Sequence, residues 1–226
     1  MLIGKGEKIE RILYSNMKID IIGITVSTNY SDVLPYVIKA NKRFLKHWIF
    51  ITDKNDTKTI NILNKYKNIT ILYFDFQENN RVFNKGGAIR IGQDFAYKHF
   101  PNDWYLILDS DICLEKNFKK YINCYTPVLD PKIIYGCRNR KDFYSLKDYK
   151  YKINFTKGGT NNSLPGFFQF YKRKIFYKSS YDASTCDIEF LIRFKNRIYL
   201  NEVICYHLGQ GSIHWQGRKT TSDFKI

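Results

Sequence analysis

Two aspartates separated by one residue follow an apolar, strand-like run. The run Trp104–Leu108 is apolar throughout, and Asp109 and Asp111 come directly after it. Burying an unpaired carboxylate is costly, so two acids at this place predict a cation or a cluster of donors beside them. In an extended segment, residues two positions apart point to the same side, which would let both carboxylates reach one point. Mg²⁺ and Mn²⁺ bind such oxygens and keep positions for water and phosphate, so the pair predicts a metal site. The alternative is a helix cap, in which one of these acids starts a helix over residues 114–121.

The elements that would position this pair alternate regularly along the first half of the chain. Apolar runs predict strands over residues 19–26, 48–53, 69–74 and 104–108, and helical spacing predicts helices over residues 32–44, 57–66 and 84–100. Such alternation implies a parallel sheet covered by helices, with ligands at the carboxyl ends of the strands. The predicted fold class is therefore α/β, with a mixed, mostly parallel, Rossmann-like sheet flanked by helices.

Beyond the acid pair the pattern is less regular. It predicts strands over residues 133–136 and 166–171, a helix over 182–194, and an extended run over 198–206 that leads into His207. Glycine and asparagine pairs at 158–159 and 161–162 predict tight turns. The basic and aromatic segment 138–157 is predicted to be a loop or irregular excursion over the site. No repeat or linker divides the chain, so a single domain over residues 1–226 is expected.

The charge and the cysteines narrow the functional classes. The chain carries 37 Lys and Arg against 21 acids, a net charge of +16, which favours anionic partners. The alternative explanation is the residue bias of an AT-rich genome, because Lys, Asn, Ile, Tyr and Phe are all abundant. No segment reaches the length of a membrane span, and residues 1–17 lack the apolar core of a secretory signal, so a cytoplasmic location is expected. The five cysteines contain no C-x-x-C pair, which indicates reduced thiols rather than a zinc site.

The order of the motifs resembles the GT-A class of nucleotide-sugar glycosyltransferases, similar to families 2 and 8 of these enzymes, some of them viral. The resemblance covers residues 19 to 218 and rests on six features. They are the amino-terminal βαβ half, the segment Asn84-Lys85-Gly86-Gly87-Ala88 before a helix, the D-x-D of Asp109 and Asp111, the strand Gly166-Phe167-Phe168-Gln169-Phe170, the acids Asp187 and Glu189, and His207-Leu208-Gly209.

The resemblance implies an enzyme that transfers a sugar from a nucleotide-diphosphate sugar to a hydroxyl group. A UDP-sugar is the first choice of donor, a glycan or glycoprotein the first choice of acceptor, and Mn²⁺ or Mg²⁺ the cofactor. Residues 19–111 would form the nucleotide-sugar-binding half, and residues 112–226 the acceptor-binding half with a carboxyl-terminal tail. The metal ligands would be Asp109, Asp111 and His207. A general base would be Asp187 or Glu189, with Asp187 preferred because it is nearer the helix start; a retaining reaction would not need one.

The resemblance also implies a set of donor-binding residues. They are Thr25, Ser27 and Asn29 at the end of the first strand, Asp53 at the end of the second, Lys85, Gly86 and Arg90 around the next helix start, Asp109 on the ribose, and Arg218 or Lys219 on the leaving diphosphate. Bare amides at Gly86 and Gly87 would suit a phosphate or ribose hydroxyl. Several of these residues also have a purely structural explanation: a helix cap for Asp53, a solvated side chain for Arg90, and an untethered tail for Arg218 and Lys219. Trp215 would stack on a sugar or fix the tail to the core.

Three other functions can be weighed against this one. A haloacid-dehalogenase-type phosphatase also has D-x-D after a buried strand, but it expects Thr or Val where this chain has Cys113, and it expects the motif on the first strand. A non-catalytic nucleic-acid-binding module would use the positive charge and segment 138–157, but it leaves the acid pair unexplained. The third is a glycosyltransferase whose acceptor is DNA with hydroxymethylated pyrimidines, as in some phages. It would use the acid pair for catalysis and the positive charge for binding the duplex, which Tyr144, Tyr149 and Tyr151 would contact.

Overall fold

The computed structural model describes residues 19–158, 166–209, 214, 216–219 and 224. The turns predicted at Gly159 and at Asn161-Asn162, and the role predicted for Trp215, lie outside these residues. The strands are β1 (Ile21–Val26), β2 (His47–Thr52), β3 (Ile69–Tyr73), β4 (Trp104–Leu108), β5 (Ile112–Leu114), β6 (Ile133–Gly136), β7 (Asn139–Phe143), β8 (Thr156–Gly158), β9 (Phe168–Tyr171), β10 (Asn196–Tyr199) and β11 (Ile204–Leu208). The α-helices are α1 (Leu34–Asn41), α2 (Thr57–Leu63), α3 (Lys85–His99), α4 (Phe118–Tyr125), α5 (Leu146–Tyr151) and α6 (Cys186–Leu191), and 3-10 turns lie at Lys42–Phe44, Glu78–Asn80 and Thr126–Val128.

A seven-stranded sheet forms the centre, in the order β10-β6-β9-β4-β1-β2-β3. Strand β1 pairs in parallel with both β2 and β4, and β2 pairs in parallel with β3, while β9 runs antiparallel to β4 and β6. This confirms the predicted α/β class with a mostly parallel sheet. The chain moves outward from β1 to β3 and then returns to the other side of β1 as β4, so the ends of β1 and β4 form the switch point at which ligands bind in such sheets.

A second sheet of four strands, in the order β5-β11-β7-β8, lies over the central one. Its middle strand β11 is antiparallel to β5 and parallel to β7. Strand β5 follows the acid pair directly, so the second sheet begins where β4 ends. This sheet was not expected from the sequence, and it determines what surrounds the acids.

Two cores cover the two faces of the central sheet. Alternate residues of β1 go to opposite faces, since Ile21 belongs to one core and Ile22 and Ile24 to the other. The first core joins the central sheet to α1, α2, α4 and the second sheet; the second joins it to α3 and α6. None of the described helices is long and apolar enough to cross a membrane.

Two predictions about the second half of the chain were wrong. Segment 138–157 is not a loop, since it contains β7, α5 and β8, whose mostly polar strands pair inside the second sheet. The extended run at 198–206 is not one strand, because a turn at Asn201 and Glu202 separates β10 from β11 and sends them into different sheets. The helix predicted over 182–194 is also shorter, covering Cys186–Leu191. The division into halves at residue 111 stays a prediction.

Candidate functional site

The acid pair lies in a turn rather than in an extended segment. The amide of Ile112 donates to the carbonyl oxygen of Asp109 at 3.2 Å, which closes the turn, and the hydroxyl of Ser110 donates to the carbonyl oxygen of Val26 at 2.6 Å, which ties it to the end of β1. The argument that an extended backbone brings both carboxylates to one point was therefore wrong. In the turn, each carboxylate faces its own cation: Lys85 for Asp109 and His207 for Asp111.

The cation beside Asp111 comes from the second sheet. Antiparallel pairing of β11 with β5 places His207 opposite Ile112, next to the acid, and parallel pairing with β7 places His207 opposite Asp142. The Nε2 atom of His207 lies 3.3 Å from Oδ2 of Asp111, and its Nδ1 atom lies 3.3 Å from Oδ1 of Asp142. The imidazole is thus held between two carboxylates, one of which belongs to the motif.

The electrostatics of this arrangement favour a charged histidine when no metal is bound. Burial would lower the pKa of His207, but Asp111 and Asp142 outweigh it and raise the pKa to about 9. Burial would raise the pKa of Asp111 and of Asp142, yet contact with His207 lowers both. Arg140 also holds Asp142, donating through Nε at 2.8 Å and through Nη2 at 3.1 Å.

The cation beside Asp109 bridges the motif to the predicted base. Lys85, the first residue of α3, places its Nζ 3.0 Å from Oδ1 of Asp109 and 3.2 Å from Oδ2 of Asp187. Burial would lower the pKa of Lys85, but the two carboxylates outweigh it and raise the pKa well above its usual value. Burial first, and then the charges of Asp111 and Asp187, raises the pKa of Asp109 despite the nearby ammonium. This network is partly buried and charged, and it joins two motifs that are distant in sequence.

The two candidate bases are in different environments. Asp187 points inward, its other oxygen Oδ1 accepts a hydrogen bond from the hydroxyl of Tyr177 at 2.9 Å, and that hydroxyl also contacts Gln169. Glu189, two residues later on α6, is exposed. The structure therefore brings Asp187, and not Glu189, to Lys85 and Asp109. A glycine at 166 leaves room for this carboxylate, since a Cβ atom there would lie 2.0 Å from Oδ2 of Asp187.

The polar residues at the end of β1 make different contacts. The hydroxyl of Thr25 is used inside the protein, donating to the carbonyl oxygen of Leu108 at 2.8 Å and accepting from Nε1 of Trp48 at 2.9 Å. Ser27 is fully buried, and within the described residues its hydroxyl has no hydrogen-bond partner. A buried hydroxyl of this kind is normally satisfied by water or a ligand, so Ser27 is the residue of this strand end with capacity to bind one.

The loop after β1 is fixed by an acid that the sequence analysis missed. Asn29 adopts a left-handed φ of 63°, and its amide donates to Oδ2 of Asp56 at 2.7 Å. Asp56 also caps α2, accepting from the amide of Thr59 at 3.1 Å. Asp53 does not have the capping role considered for it; its Oδ1 accepts from the amide of Asn55 at 2.7 Å in a short turn. Asp53 is half-buried, and the role predicted for it on the base or ribose stays a prediction.

The start of α3 does not present free amides. The amide of Gly86 donates to the hydroxyl of Ser180 at 3.0 Å, and the amide of Gly87 donates to the side-chain oxygen of Asn84 at 2.9 Å. Gly86 is required for close packing instead, since a Cβ atom would lie 2.0 Å from the carbonyl oxygen of Lys178. The expectation of bare amides for a phosphate is therefore corrected. Arg90 is exposed one turn further on and lies over the ring of Phe176.

The carboxyl-terminal tail is tied to the loop after β1. Arg218 is buried and donates to both oxygens of Asp32, each at 2.7 Å, while its carbonyl oxygen accepts from Nδ2 of Asn29 at 2.7 Å. Its guanidinium also lies over the ring of Tyr30, whose pKa is raised well above its usual value by burial and by the charges of Asp111 and Asp109. The tail is thus tied to this loop and is not untethered, and the charge of Arg218 helps to lower the pKa of Asp111. Lys219 is exposed.

The donors around Asp111 fit a hard divalent ion with open coordination positions. Asp111 and His207 face each other, and Asp142 lies behind the imidazole, as carboxylates often do behind a metal-binding histidine. In the part of the chain that the structure describes, no group of three or more His, Cys, Asp or Glu side chains could hold a metal ion. Asp109 thus does not complete the predicted set of three, because Lys85 neutralises it. Two protein ligands would leave most positions to water and phosphate, which is how Mg²⁺ is commonly bound.

Comparison with known proteins gives only distant similarities. No protein-family model matches the chain, and no curated protein matches its sequence. A protein described as a glucose-1-phosphate thymidylyltransferase from Bacillus anthracis, in complex with sucrose, is 11% identical over 79% of this chain and 85% of its own, with a TM-score of 0.42. A 4-diphosphocytidyl-2C-methyl-D-erythritol synthase is 9% identical over 83% and 91%, with a TM-score of 0.46. Its counterpart from Anaerococcus prevotii is 14% identical over 91% and 92%, with a TM-score of 0.45. These values assign neither a family nor an activity to this chain.

Several site residues could not have been selected from the sequence. Asp142 is one charged residue in a basic segment, and only the register of β7 against β11 reveals its role. Asp32, Asp56 and Tyr177 likewise act through contacts between distant segments. A sequence signal existed only for Asp56, because an acid directly before a helix is a common cap.

Proposed function

We propose that this chain is a metal-dependent glycosyltransferase that moves a sugar from a nucleotide-diphosphate sugar to a hydroxyl acceptor. The observation that carries the proposal is the meeting of Asp111 and His207, 3.3 Å apart, at the carboxyl end of β4. The resemblance selected these two residues from motifs far apart in the chain, and the fold unites them at the switch point. A chance pair of motifs would have no reason to meet there.

Asp111 and His207 would hold the ion. An Mn²⁺ or Mg²⁺ ion at this place supplies positive charge to a departing nucleoside diphosphate, which lowers the barrier to breaking the sugar–phosphate bond. Asp142 keeps the ring of His207 oriented toward Asp111, and Arg140 holds Asp142 in turn. The buried hydroxyl of Ser27, which has no partner among the described residues, is available to the nucleotide beside the same strand end.

Asp187 is the proposed general base for an inverting reaction. Lys85 donates a hydrogen bond to its Oδ2 atom, and the hydroxyl of Tyr177 donates one to its Oδ1 atom. Because both oxygens are held, the carboxylate has a fixed orientation. Fixing a reacting group before the reaction removes part of the entropic barrier. Lys85 also contacts Asp109, and it therefore sets the position of the base relative to the donor side of the site.

A glycan or glycoprotein stays the first choice of acceptor, and modified DNA the second. The segment that would contact DNA is folded, and five of its cations lie over aromatic rings of the protein, among them Lys141 over Phe155 and Lys152 over Tyr149 at 3.4 Å. Cations used in this way are less available to phosphates. Glycosylation of a hydroxymethylated duplex that declines steeply with salt would reverse this order of preference.

A panel of nucleotide-diphosphate sugars, incubated with Mn²⁺ or with EDTA, tests the proposal. We expect slow release of nucleoside diphosphate and free sugar from at least one donor, only with the ion present. Asp111→Asn should reduce this rate on the order of a hundredfold. The matched control is Asp94→Asn, which removes an exposed acid of α3 and should have no effect.

Three results would contradict the proposal. They are cleavage that is equal in EDTA, cleavage that Asp111→Asn leaves unchanged in a folded protein, and release of sugar 1-phosphate with nucleoside monophosphate instead of free sugar with nucleoside diphosphate. The last result would indicate nucleotidyl transfer at the same site.

A further inference from the structure

Beside the proposed site, the outer side of α6 and its neighbouring segments form a surface that is both apolar and basic; we call it the α6 surface. It contains two exposed isoleucines, Ile188 and Ile192. The segments on either side of α6 carry the exposed cations Arg173, Lys174, Lys178, Arg193, Lys195 and Arg197. We propose that the α6 surface binds the headgroup region of an anionic lipid bilayer. The proposal is independent of the chemistry at Asp111.

The isoleucines are exposed although their helix is well packed. Their side chains are 55% and 62% exposed, while Phe190 and Leu191, between them, are buried in the second core. The amide of Ile192 donates to the carbonyl oxygen of Ile188 at 3.0 Å, so the two side chains lie one turn apart on one side of the helix. Tyr181, which is 66% exposed, is a further large apolar side chain in the segment before α6. Covering these side chains would be favourable, because each now exposes much of its apolar area to water.

The segment that carries three of these cations, residues 172–181, packs against α3 and against the end of α6. Segment 172–181 runs along α3, where the hydroxyl of Tyr97 donates to the carbonyl oxygen of Ile175 at 2.7 Å. Arg193 donates to the carbonyl oxygen of Phe176, and Arg90 lies over the ring of that residue. These contacts place segment 172–181, α3 and α6 in one layer over the second core.

The charge of α6 and of the segments on either side of it is strongly one-sided. Residues 172–199 contain seven Lys and Arg against three acids, which are Asp182, Asp187 and Glu189. Asp187 is already paired with Lys85 inside the site. These residues therefore add positive potential around the exposed isoleucines, which favours a negatively charged partner.

An anionic bilayer satisfies both properties together. Interfacial protein segments combine exposed apolar side chains, which enter the boundary of the acyl chains, with Lys and Arg, which attract anionic headgroups. A second copy of this chain would oppose cations to cations if the same surface were shared. A nucleic acid would satisfy the charges, but branched aliphatic side chains do not stack on bases as aromatic ones do. The bilayer is therefore the occupant that the residues favour.

Co-sedimentation of the full chain with lipid vesicles tests the inference. We expect binding to phosphatidylcholine vesicles that contain phosphatidylserine, little binding to phosphatidylcholine alone, and a decrease as salt rises. The double variant Ile188→Ser with Ile192→Ser should bind at least about tenfold more weakly. Lys174→Ala with Lys195→Ala should bind about thirtyfold more weakly.

Matched controls separate this surface from general charge and apolarity. Val128→Ser removes an equally exposed apolar side chain elsewhere, and Lys65→Ala with Lys67→Ala removes two exposed cations from the turn between α2 and β3. Both controls should bind vesicles as the wild type does. Equal binding to neutral vesicles, equal losses in the controls, or binding of these residues to duplex DNA without any vesicle binding would each overturn the inference. Donor hydrolysis in solution should be unchanged in every variant, so the outcome is separate from that of the proposed function.

Discussion

The charge on His207 should make the stability of the metal-free protein depend on pH. The pKa of this residue is about 9 in the folded protein against an ordinary 6.5. A difference of about 2.5 pH units corresponds to between about 3 and 4 kcal/mol, since each unit is worth about 1.4 kcal/mol. The side chain is only 7% exposed, so solvent screening removes little of this amount. Because the folded pKa is raised, the stabilisation is complete below pH 6.5 and is lost as the pH rises through 9.

Urea unfolding in EDTA at pH 6 and at pH 9.5 measures this contribution. Other groups also titrate over this range: burial lowers the pKa of Lys152 to about 8, which acts in the opposite direction. The useful quantity is therefore the difference between the wild type and His207→Gln at each pH. The wild type should lose about 3 kcal/mol more than the variant between pH 6 and pH 9.5.

His99→Gln provides the control for this experiment. His99 is exposed at the end of α3, and its removal should leave the pH dependence of the wild type unchanged. Parallel pH profiles for the wild type and His207→Gln would refute the reasoning, because His207 would then not be charged between Asp111 and Asp142.

Three further predictions follow from other contacts. Lys85→Met should lower the free energy of unfolding by about 1–3 kcal/mol, because two partly buried carboxylates lose their cation; urea unfolding checks this, and a neutral outcome would contradict the bridge. Asp142→Asn should weaken Mn²⁺ binding at least about tenfold in a calorimetric titration, whereas unchanged affinity would mean that it does not orient the histidine. Gly217→Ala should destabilise the protein by about 1–2 kcal/mol in thermal unfolding, because its φ is +79° and a Cβ would lie 2.6 Å from the ring of Phe83; a stable variant would show that the tail can move away.

The strands and helices of the parallel half of the fold could be predicted from the sequence, because their buried residues recur at regular spacings. Strand β4 was predicted at its observed limits, and β1, β2 and β3 within one or two residues. Burial on both faces gives continuous apolar runs, and the helices between them keep a clear apolar side. These local signals do not depend on contacts between distant segments.

The second sheet could not be predicted from the sequence, because its strands lack regular apolar patterns. Strand β7 reads Asn-Arg-Lys-Asp-Phe, a polar sequence that forms a strand only because β11 and β8 pair with it. The apolar run before His207 contains the turn that separates β10 from β11, and Asn201 was its only strong sign. Context of this kind commonly overrides local preference in strands.

The site was predicted in part for the same reason. Spacing selected Asp109 and Asp111, the resemblance added Lys85, Asp187 and His207, and the structure brings all five into two adjoining networks. The sequence could not show that the acid pair lies in a turn. It also could not show that the ammonium group of Lys85 lies beside Asp109, where a metal ion shared with Asp111 was expected. Those facts depend on hydrogen bonds of the turn and on the register of the second sheet.

Direct measurement of Mn²⁺ binding by electron paramagnetic resonance, with and without UDP, tests the central claim most closely. The account predicts one bound ion per chain whose affinity rises when UDP is present, unchanged binding in Asp94→Asn, and loss of the bound ion in Asp111→Asn and in His207→Gln. Binding that survives both of these substitutions in folded protein, or no binding by the wild type with UDP, would contradict the claim that Asp111 and His207 form a metal site.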